Sequence, residues 1–141
     1  MSALILASVS QSRRTMLAAA GVSFSAEAPG VDEEAVKDSL KAEAATPAAI
    51  AETLAELKAR KVSLRHPDAF VIGADQVLDC DGTMYDKPPD VAAARRQLQS
   101  LRGRAHRLTA SVVVARGDAR LWHRTEAATL HMRPFTDAFL D

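Results

Sequence analysis

Three serines and two arginines follow the first apolar run of the chain, at residues 4–7, within seven positions; they are Ser8, Ser10, Ser12, Arg13 and Arg14. Hydroxyls and backbone N–H groups at a helix N-terminus bind phosphate oxygens, and guanidinium groups bind them bidentately. The pattern therefore indicates a site for a phosphorylated ligand. Taken alone, it is equally typical of a Ser-capped helix with two solvated arginines.

Further charged and amide side chains along the chain fit phosphoryl chemistry; they are Glu33, Lys58, Asp75, Gln76 and Lys87. Cleavage of a phosphoanhydride needs cations around the phosphates, carboxylates that hold a divalent ion, and a base or orienter for water. Each part has a candidate here. The alternatives are that Lys58 is a solvated helix lysine and that Asp75 caps a turn.

The first elements are predicted from caps and apolar spacing. A strand at residues 4–7 is followed by a helix that begins near Ser10 or Ser12 and ends before Gly21, with Met16 and Leu17 facing inward. A second strand is predicted at residues 23–28, and a helical stretch opens at residues 31–34.

The central elements should carry the candidate acid and lysine. A long helix is predicted from the Thr46 cap to about residue 65, with Ile50, Leu54 and Leu57 inward and the Lys58 stem beside that stripe. A buried strand from residue 70 should deliver Asp75 and Gln76 at its end, a usual site position in open α/β sheets.

The last third is predicted to alternate hairpins with one helix. Asp81-Gly82 is a hairpin signal, and Asp90 caps a helix that Gly103 terminates, with Ala94, Leu98 and Leu101 inward. A β-meander follows through residues 112–130, and one capped helical turn begins at residue 136. The order β, α, β, α, α, β, β, α, β, β indicates an α/β fold with a mixed sheet.

Composition predicts one folded domain over residues 1–141 and excludes some partner classes. Eighteen basic and eighteen acidic residues cancel, which disfavours nucleic acid and anionic membranes as partners. Without a long apolar stretch or a signal, and with a single cysteine, Cys80, the chain is expected to be cytoplasmic. The four histidines lack metal-ligand spacing, Cys80 is interpreted as incidental, and Trp122 is interpreted as packing in the core or at a sheet edge.

Six ordered motifs carry a specific resemblance. ASVSQSRRTML, PGVDEE, LAELKA, FVIGADQV, DGTMYDKP and LRGRAH, in this order and spacing, resemble the Maf family of nucleoside triphosphate pyrophosphatases over essentially the whole chain. The resemblance implies an elongated mixed α/β sheet flanked by helices, related to the inosine triphosphate pyrophosphatases, with a cleft between two lobes. It implies hydrolysis of a nucleoside triphosphate between the α and β phosphates with Mg²⁺ or Mn²⁺, and a possible homodimer.

The same resemblance suggests individual roles. Asp75 matches the family's proton acceptor, and Glu33 matches the acid that holds metal together with it. The phosphate-binding positions of the family are matched by a set of hydroxyls and cations; they are Ser8, Ser10, Arg13, Arg14, Lys58 and Lys87.

Two positions point to a subgroup. Ser12, an extra residue before the arginines, and Gln76, after the aspartate, resemble the members that act on 7-methyl-GTP, whereas dTTP/UTP-type members have a shorter loop and a threonine. A glutamine can donate to and accept from a base edge. The better-known 7-methyl-GTP members carry proline and tryptophan where this chain has Gln11 and Ser12.

The resemblance also implies that a further C-terminal segment, rich in glycine and small residues, completes the sheet and one cleft wall in family members. The chain would then lack its last part, which would leave core and pocket exposed and weaken activity. The alternatives are a dTTP/UTP pyrophosphatase of the same family and a non-catalytic nucleotide-binding regulator linked to septum formation.

Overall fold

The computed structural model describes residues 3–141 and contains the elements in the predicted order. The strands are β1 (Leu4–Leu6), β2 (Ser25–Ala26), β3 (Phe70–Cys80), β4 (Thr83–Tyr85), β5 (Ala105–Arg116) and β6 (Ala119–His131). The helices are α1 (Gln11–Ala19), α2 (Glu33–Ala42), α3 (Pro47–Arg65) and α4 (Val91–Leu101), and a 3₁₀ turn covers Asp137–Leu140.

The strands form one mixed sheet, which confirms the predicted fold class. Its order is β2-β1-β3-β5-β6, and β4 pairs with β3 off this path. β1 runs parallel to β2 and β3, whereas the β3–β4, β3–β5 and β5–β6 pairs are antiparallel. The parallel pairs come from helical crossovers and the antiparallel pairs from hairpins and the α4 connection, as the chain order requires.

The central strand β3 has a gap along one edge. On that edge β1 pairs with residues 70–72 and β4 pairs with residues 78–80, while β5 covers the opposite edge from Val71 to Asp79. Among the described residues, no strand pairs with residues 73–77 on the first edge. The prediction that Asp75 ends the strand is wrong. Pairing with β5 continues to Asp79 and β3 extends to Cys80, so Asp75 and Gln76 lie mid-strand, within the stretch that is unpaired on the first edge.

Helix α3 packs closely on β3 and forms the core. Val62, Val71 and Val113 are fully buried between the helix and the strands β3 and β5. A Cβ atom at Gly73 would lie 2.1 Å from the Ala55 carbonyl oxygen, so glycine is needed for this close approach. The short separation between helix and strand lets side chains of α3 reach the middle of β3.

The caps and turns form largely as predicted. The Thr46 and Asp90 side chains accept hydrogen bonds from the first turns of α3 and α4. Asp81 and Gly82 both have positive φ angles, as the hairpin turn between β3 and β4 requires.

Several inward-facing assignments are wrong because neighbouring elements cover less of these helices than their periodicity suggests. Met16 of α1 is 63% exposed, and Leu57 and Leu98 are also exposed. In α3, small residues take the buried positions instead of Leu57. Ala51, Ala55 and Ala59 are buried beside Ile50 and Leu54. The second strand is also shorter than predicted, since only two of its residues pair with β1.

The edge strand β6 is exposed along its length. Trp122 lies on it with its ring half exposed, so of the two predicted positions, core or edge, the structure shows the edge. Over residues 3–141, none of the helices combines the length and the apolar character that crossing a bilayer requires.

Candidate active site

The loop between β1 and α1 holds its serines through local hydrogen bonds. The buried Ser8 hydroxyl accepts from the Ser10 N–H at 3.0 Å and from the Arg13 guanidinium at 3.4 Å. Ser10 is the N-cap of α1, and its hydroxyl accepts from the Arg13 N–H. The first-turn N–H groups at Gln11 and Ser12 have no carbonyl partner within a helix, so this loop offers donors to an anion.

A buried lysine joins two carboxylates at the centre of the site. The Lys58 ammonium contacts Glu33 Oε1 and lies 3.2 Å from Asp75 Oδ1, and it donates to the Ala74 carbonyl at 3.3 Å. Lys58 and Asp75 are 4% and 6% exposed. The three ammonium donors of Lys58 thus face three acceptors. The alternative of a solvated helix lysine is wrong, because Lys58 is a buried bridge between α2 and β3.

Burial raises the pKa of the Asp75 carboxyl above its ordinary value, because desolvation disfavours the charged form. The Lys58 ammonium opposes this shift, and Lys37 lowers the same pKa, whereas Glu33 raises it. The second carboxylate oxygen, Oδ2, is buried without a hydrogen-bond partner among the described residues. An unpartnered acceptor on a buried acid is suited to a water, proton or cation that arrives with a ligand.

One cleft of about 650 Å³ brings most of the predicted residues together. Because the gap in β3 opens the sheet edge, the cleft reaches side chains from both faces of that strand, and Asp75 and Gln76 both line it. The other predicted residues that line it come from the loop between β1 and α1 (residues 7–10, called the serine loop), the first turn of α1, α2, α3 and the segment after β4. They are Ser8, Ser10, Ser12, Arg13, Glu33, Lys58 and Lys87.

Arg14 does not reach the cleft. It lies beside Arg13 on α1, but adjacent helical residues point about 100° apart, and Arg14 lines a separate depression with Thr15 and Phe24. Of the two arginines, the structure places Arg13 in the candidate site.

Two cleft residues were missed by the sequence analysis. Lys37 lies one helical turn after Glu33 on α2, so both side chains face the same way. Tyr85 is the last residue of β4 and its hydroxyl is joined to the Ser100 hydroxyl by a hydrogen bond of 3.0 Å. In the sequence, the i, i+4 spacing from Glu33 could have indicated Lys37. The position two residues before Lys87 could have indicated Tyr85.

The donor set fits a magnesium-type ion with few protein ligands. Within residues 3–141 no group of three or more His, Cys, Asp or Glu side chains could hold a metal ion. Mg²⁺ in phosphate-processing sites is bound by one or two carboxylates, with substrate phosphates and waters completing the shell. Glu33 and Asp75, joined through Lys58 and with Asp75 Oδ2 unpartnered, match that requirement.

Comparison with known proteins places this arrangement in a family. The profile of a family described as Maf-like protein matches residues 3–141. A protein named nucleoside triphosphate pyrophosphatase from Paramagnetospirillum magneticum is 56% identical over 137 residues, which are 97% of this chain and 71% of that protein. A 7-methyl-GTP pyrophosphatase from Rhizobium meliloti is 42% identical over 138 residues, 98% of this chain and 69% of that protein.

A solved structure shares the fold. The crystal structure of a nucleoside-triphosphatase, or dITP/XTP pyrophosphatase, from Mycobacterium abscessus matches with a TM-score of 0.50 at 16% identity. The match covers 94% of this chain and 74% of that one. At this identity the likeness concerns the α/β architecture, in agreement with the mixed sheet.

Proposed function

Because the chain belongs to the Maf-like protein family, we propose that it is a nucleoside triphosphate pyrophosphatase that releases a nucleoside monophosphate and pyrophosphate. One observation carries the proposal: a buried ammonium, Lys58, holds Asp75 and Glu33 together in a cleft that the serine loop also lines. Acidic ligands for a cation and donors for phosphates therefore face one cavity.

We assign Asp75 as the general base that orients the attacking water molecule. Its Oδ1 is fixed by Lys58, which leaves the unpartnered Oδ2 to orient a water molecule and to accept its proton as the oxygen attacks the α-phosphorus. Breaking the bond between the α-phosphorus and the bridging oxygen then releases pyrophosphate. Lys58 keeps the acid in place and supplies positive charge close to the reacting phosphate.

The serine loop and Lys87 are assigned to the phosphate chain. Ser8 and Ser10 shape the α1 N-terminus, and Arg13 adds a guanidinium to its free N–H groups. Lys87 lines the cleft just after β4, so a second cation from a different segment of the chain faces the same cavity. Arg14, which lies outside the cleft, is not part of this assignment.

Glu33 and Asp75 would hold the divalent ion, Mg²⁺ or Mn²⁺. Asp75 would do so through the water that its Oδ2 orients, because its Oδ1 is bound to Lys58. Such an ion neutralises phosphate charge and polarises the bond that breaks. Glu33 is 46% exposed at its side chain, which leaves it free to turn toward a cation, whereas Asp75 is buried and fixed.

We assign the base preference to 7-methylguanine, with Ser12 and Gln76 as specificity positions. The relative named 7-methyl-GTP pyrophosphatase supports this finer assignment. Tyr85 pairs with Leu78, two residues from Gln76 on the same sheet face, so the ring and the amide are diagonal neighbours at the cleft. The aromatic surface can stack on a cationic purine while the amide reads its edge.

Pyrophosphate release from 7-methyl-GTP, GTP, dTTP, UTP and CTP with Mg²⁺ or Mn²⁺ tests the proposal. Asp75→Asn should lower turnover at least about a hundredfold, as expected for loss of a general base. Asp79→Asn is the matched control, since Asp79 lies on the same strand outside the cleft lining and should retain activity. Tight nucleotide binding without release by the folded parent would point instead to a binding regulator.

Base preference is tested with Tyr85→Leu. The variant should lose selectivity for 7-methyl-GTP over GTP by about five- to tenfold, within the range of cation–π energies. Trp122→Leu removes a ring from the distant strand β6 and should leave selectivity unchanged. Preferential turnover of dTTP or UTP by the parent would replace the 7-methyl-GTP assignment.

A cytoplasmic location and a homodimer stay predictions.

A further inference from the structure

We propose that Lys37 is a further phosphate-binding residue of the cleft, held by Asp86 in the free protein and transferred to the triphosphate when the nucleotide binds. The inference rests on the proposed function and adds a residue that the motif analysis did not assign. Lys37 would give the cleft a cation that can move to the triphosphate.

Lys58 is poorly placed to be that cation. Its ammonium donors already face Glu33, Asp75 and the Ala74 carbonyl. Exchanging Asp75 or the Ala74 carbonyl for a phosphate oxygen would leave a buried acceptor or charge without its partner, which is costly. Only the bond to the half-exposed Glu33 can be released at low cost. Lys58 therefore stays anchored at Asp75 and offers at most one donor, and further donation to the phosphate chain falls to other groups.

Lys37 has the opposite properties. Its side chain is 21% exposed and lines the cleft, and its ammonium lies 3.4 Å from Asp86 Oδ1. Asp86 is 64% exposed, so this ion pair is solvated and weak. A polyphosphate, with several negative charges in a partly enclosed cleft, competes effectively against one exposed carboxylate.

The surroundings of Asp86 favour the exchange. Lys41, one turn farther along α2, lies 3.8 Å from Asp86 Oδ2 and outside the cleft lining. When Lys37 turns toward the substrate, Asp86 keeps Lys41 as its counter-ion. Asp86 also precedes Lys87, so the pair connects α2 with the segment that carries the second cleft cation.

The test compares Lys37→Met with Lys41→Met. Both variants keep an apolar stem on the same helix and remove a cation from the same Asp86, but only Lys37 lines the cleft. Calorimetric titration with inorganic tripolyphosphate and Mg²⁺ is the primary readout, since it does not depend on turnover. We expect Lys37→Met to bind at least about tenfold more weakly, as for loss of a charge-assisted hydrogen bond, and Lys41→Met to bind within twofold of the parent.

Kinetics and a third variant sharpen the result. Lys37→Met should raise KM for the preferred nucleotide with a smaller change in kcat, and Asp86→Asn should bind tripolyphosphate as well as the parent or more tightly. Equal binding by the two lysine variants, weaker binding by Asp86→Asn, or no binding by the folded parent would each overturn the inference. A parent that binds tripolyphosphate but releases no pyrophosphate refutes the proposed function, and the titration still decides the role of Lys37.

Discussion

Replacing Lys58 by methionine tests the charge arrangement at the centre of the cleft. Methionine keeps most of the apolar stem that packs in α3 and removes the ammonium. Asp75 then remains buried beside its strand without a counter-ion, while Glu33 is exposed enough to turn into solvent. The substitution should therefore destabilise the protein mainly because the buried Asp75 carboxylate loses its counter-ion.

The expected loss is about 3 kcal/mol at pH 8. Removing one partner of a buried ion pair costs about 3–5 kcal/mol, and we take the lower end because Asp75 lines an open cleft. Without Lys58, burial should raise the pKa of Asp75 further above its ordinary value, since the main opposing charge is gone. A carboxyl whose pKa is raised in the folded state destabilises above that pKa, and the penalty disappears as the pH falls and the group is protonated.

Urea unfolding followed by circular dichroism at pH 8, 6.5 and 5 measures this effect. The difference in unfolding free energy between the parent and Lys58→Met should become smaller toward pH 5. The double variant Lys58→Met/Asp75→Asn should regain most of the stability that Lys58→Met loses at pH 8. A loss below about 1 kcal/mol, a loss that does not change with pH, or a double variant no more stable than Lys58→Met would refute the reasoning.

Three other properties follow from the geometry. Gly73→Ala should cost about 2–3 kcal/mol in urea unfolding, because its Cβ would meet the Ala55 carbonyl oxygen at 2.1 Å and displace α3; a neutral change would contradict the close approach. Thr46→Ala should cost about 1 kcal/mol through loss of the hydrogen bond to the Ala49 N–H, with unchanged KM. The acidic limb of kcat/KM should fall with a midpoint above about 4, the ordinary aspartate value, because burial raises the pKa of Asp75. Lys37→Met should move that limb to higher pH, since Lys37 lowers the same pKa; an unmoved limb would argue against that influence.

Much of the architecture could be predicted because local chemistry specifies it. Thr46 followed by Pro47 begins α3 where expected, and the Asp81-Gly82 turn joins β3 to β4. The parallel and antiparallel pairs follow from the order of crossovers and hairpins along the chain. Apart from Arg14, the motif residues meet in one cleft, because residues 73–77 of β3 are unpaired on one edge and the serine loop and α2 line the same cavity.

The remaining details depend on long-range packing that local patterns do not contain. Asp75 lies mid-strand because β5 pairs along the whole of β3. Met16 is exposed although its helical spacing suggested an inward position, because spacing shows which residues share a face and not whether another element covers that face. Lys37 contributes because the fold brings α2 to the cleft, and Tyr85 contributes through its register with Leu78.

The central claim is that this cleft directs water to the α-phosphorus of a nucleoside triphosphate. Hydrolysis in ¹⁸O-labelled water, followed by mass spectrometry of both products, tests it most directly. We predict one ¹⁸O atom in the nucleoside monophosphate and unlabelled pyrophosphate, with at least about a hundredfold slower formation of labelled product by Asp75→Asn. Label in the pyrophosphate, or a nucleoside diphosphate with labelled inorganic phosphate, would contradict it.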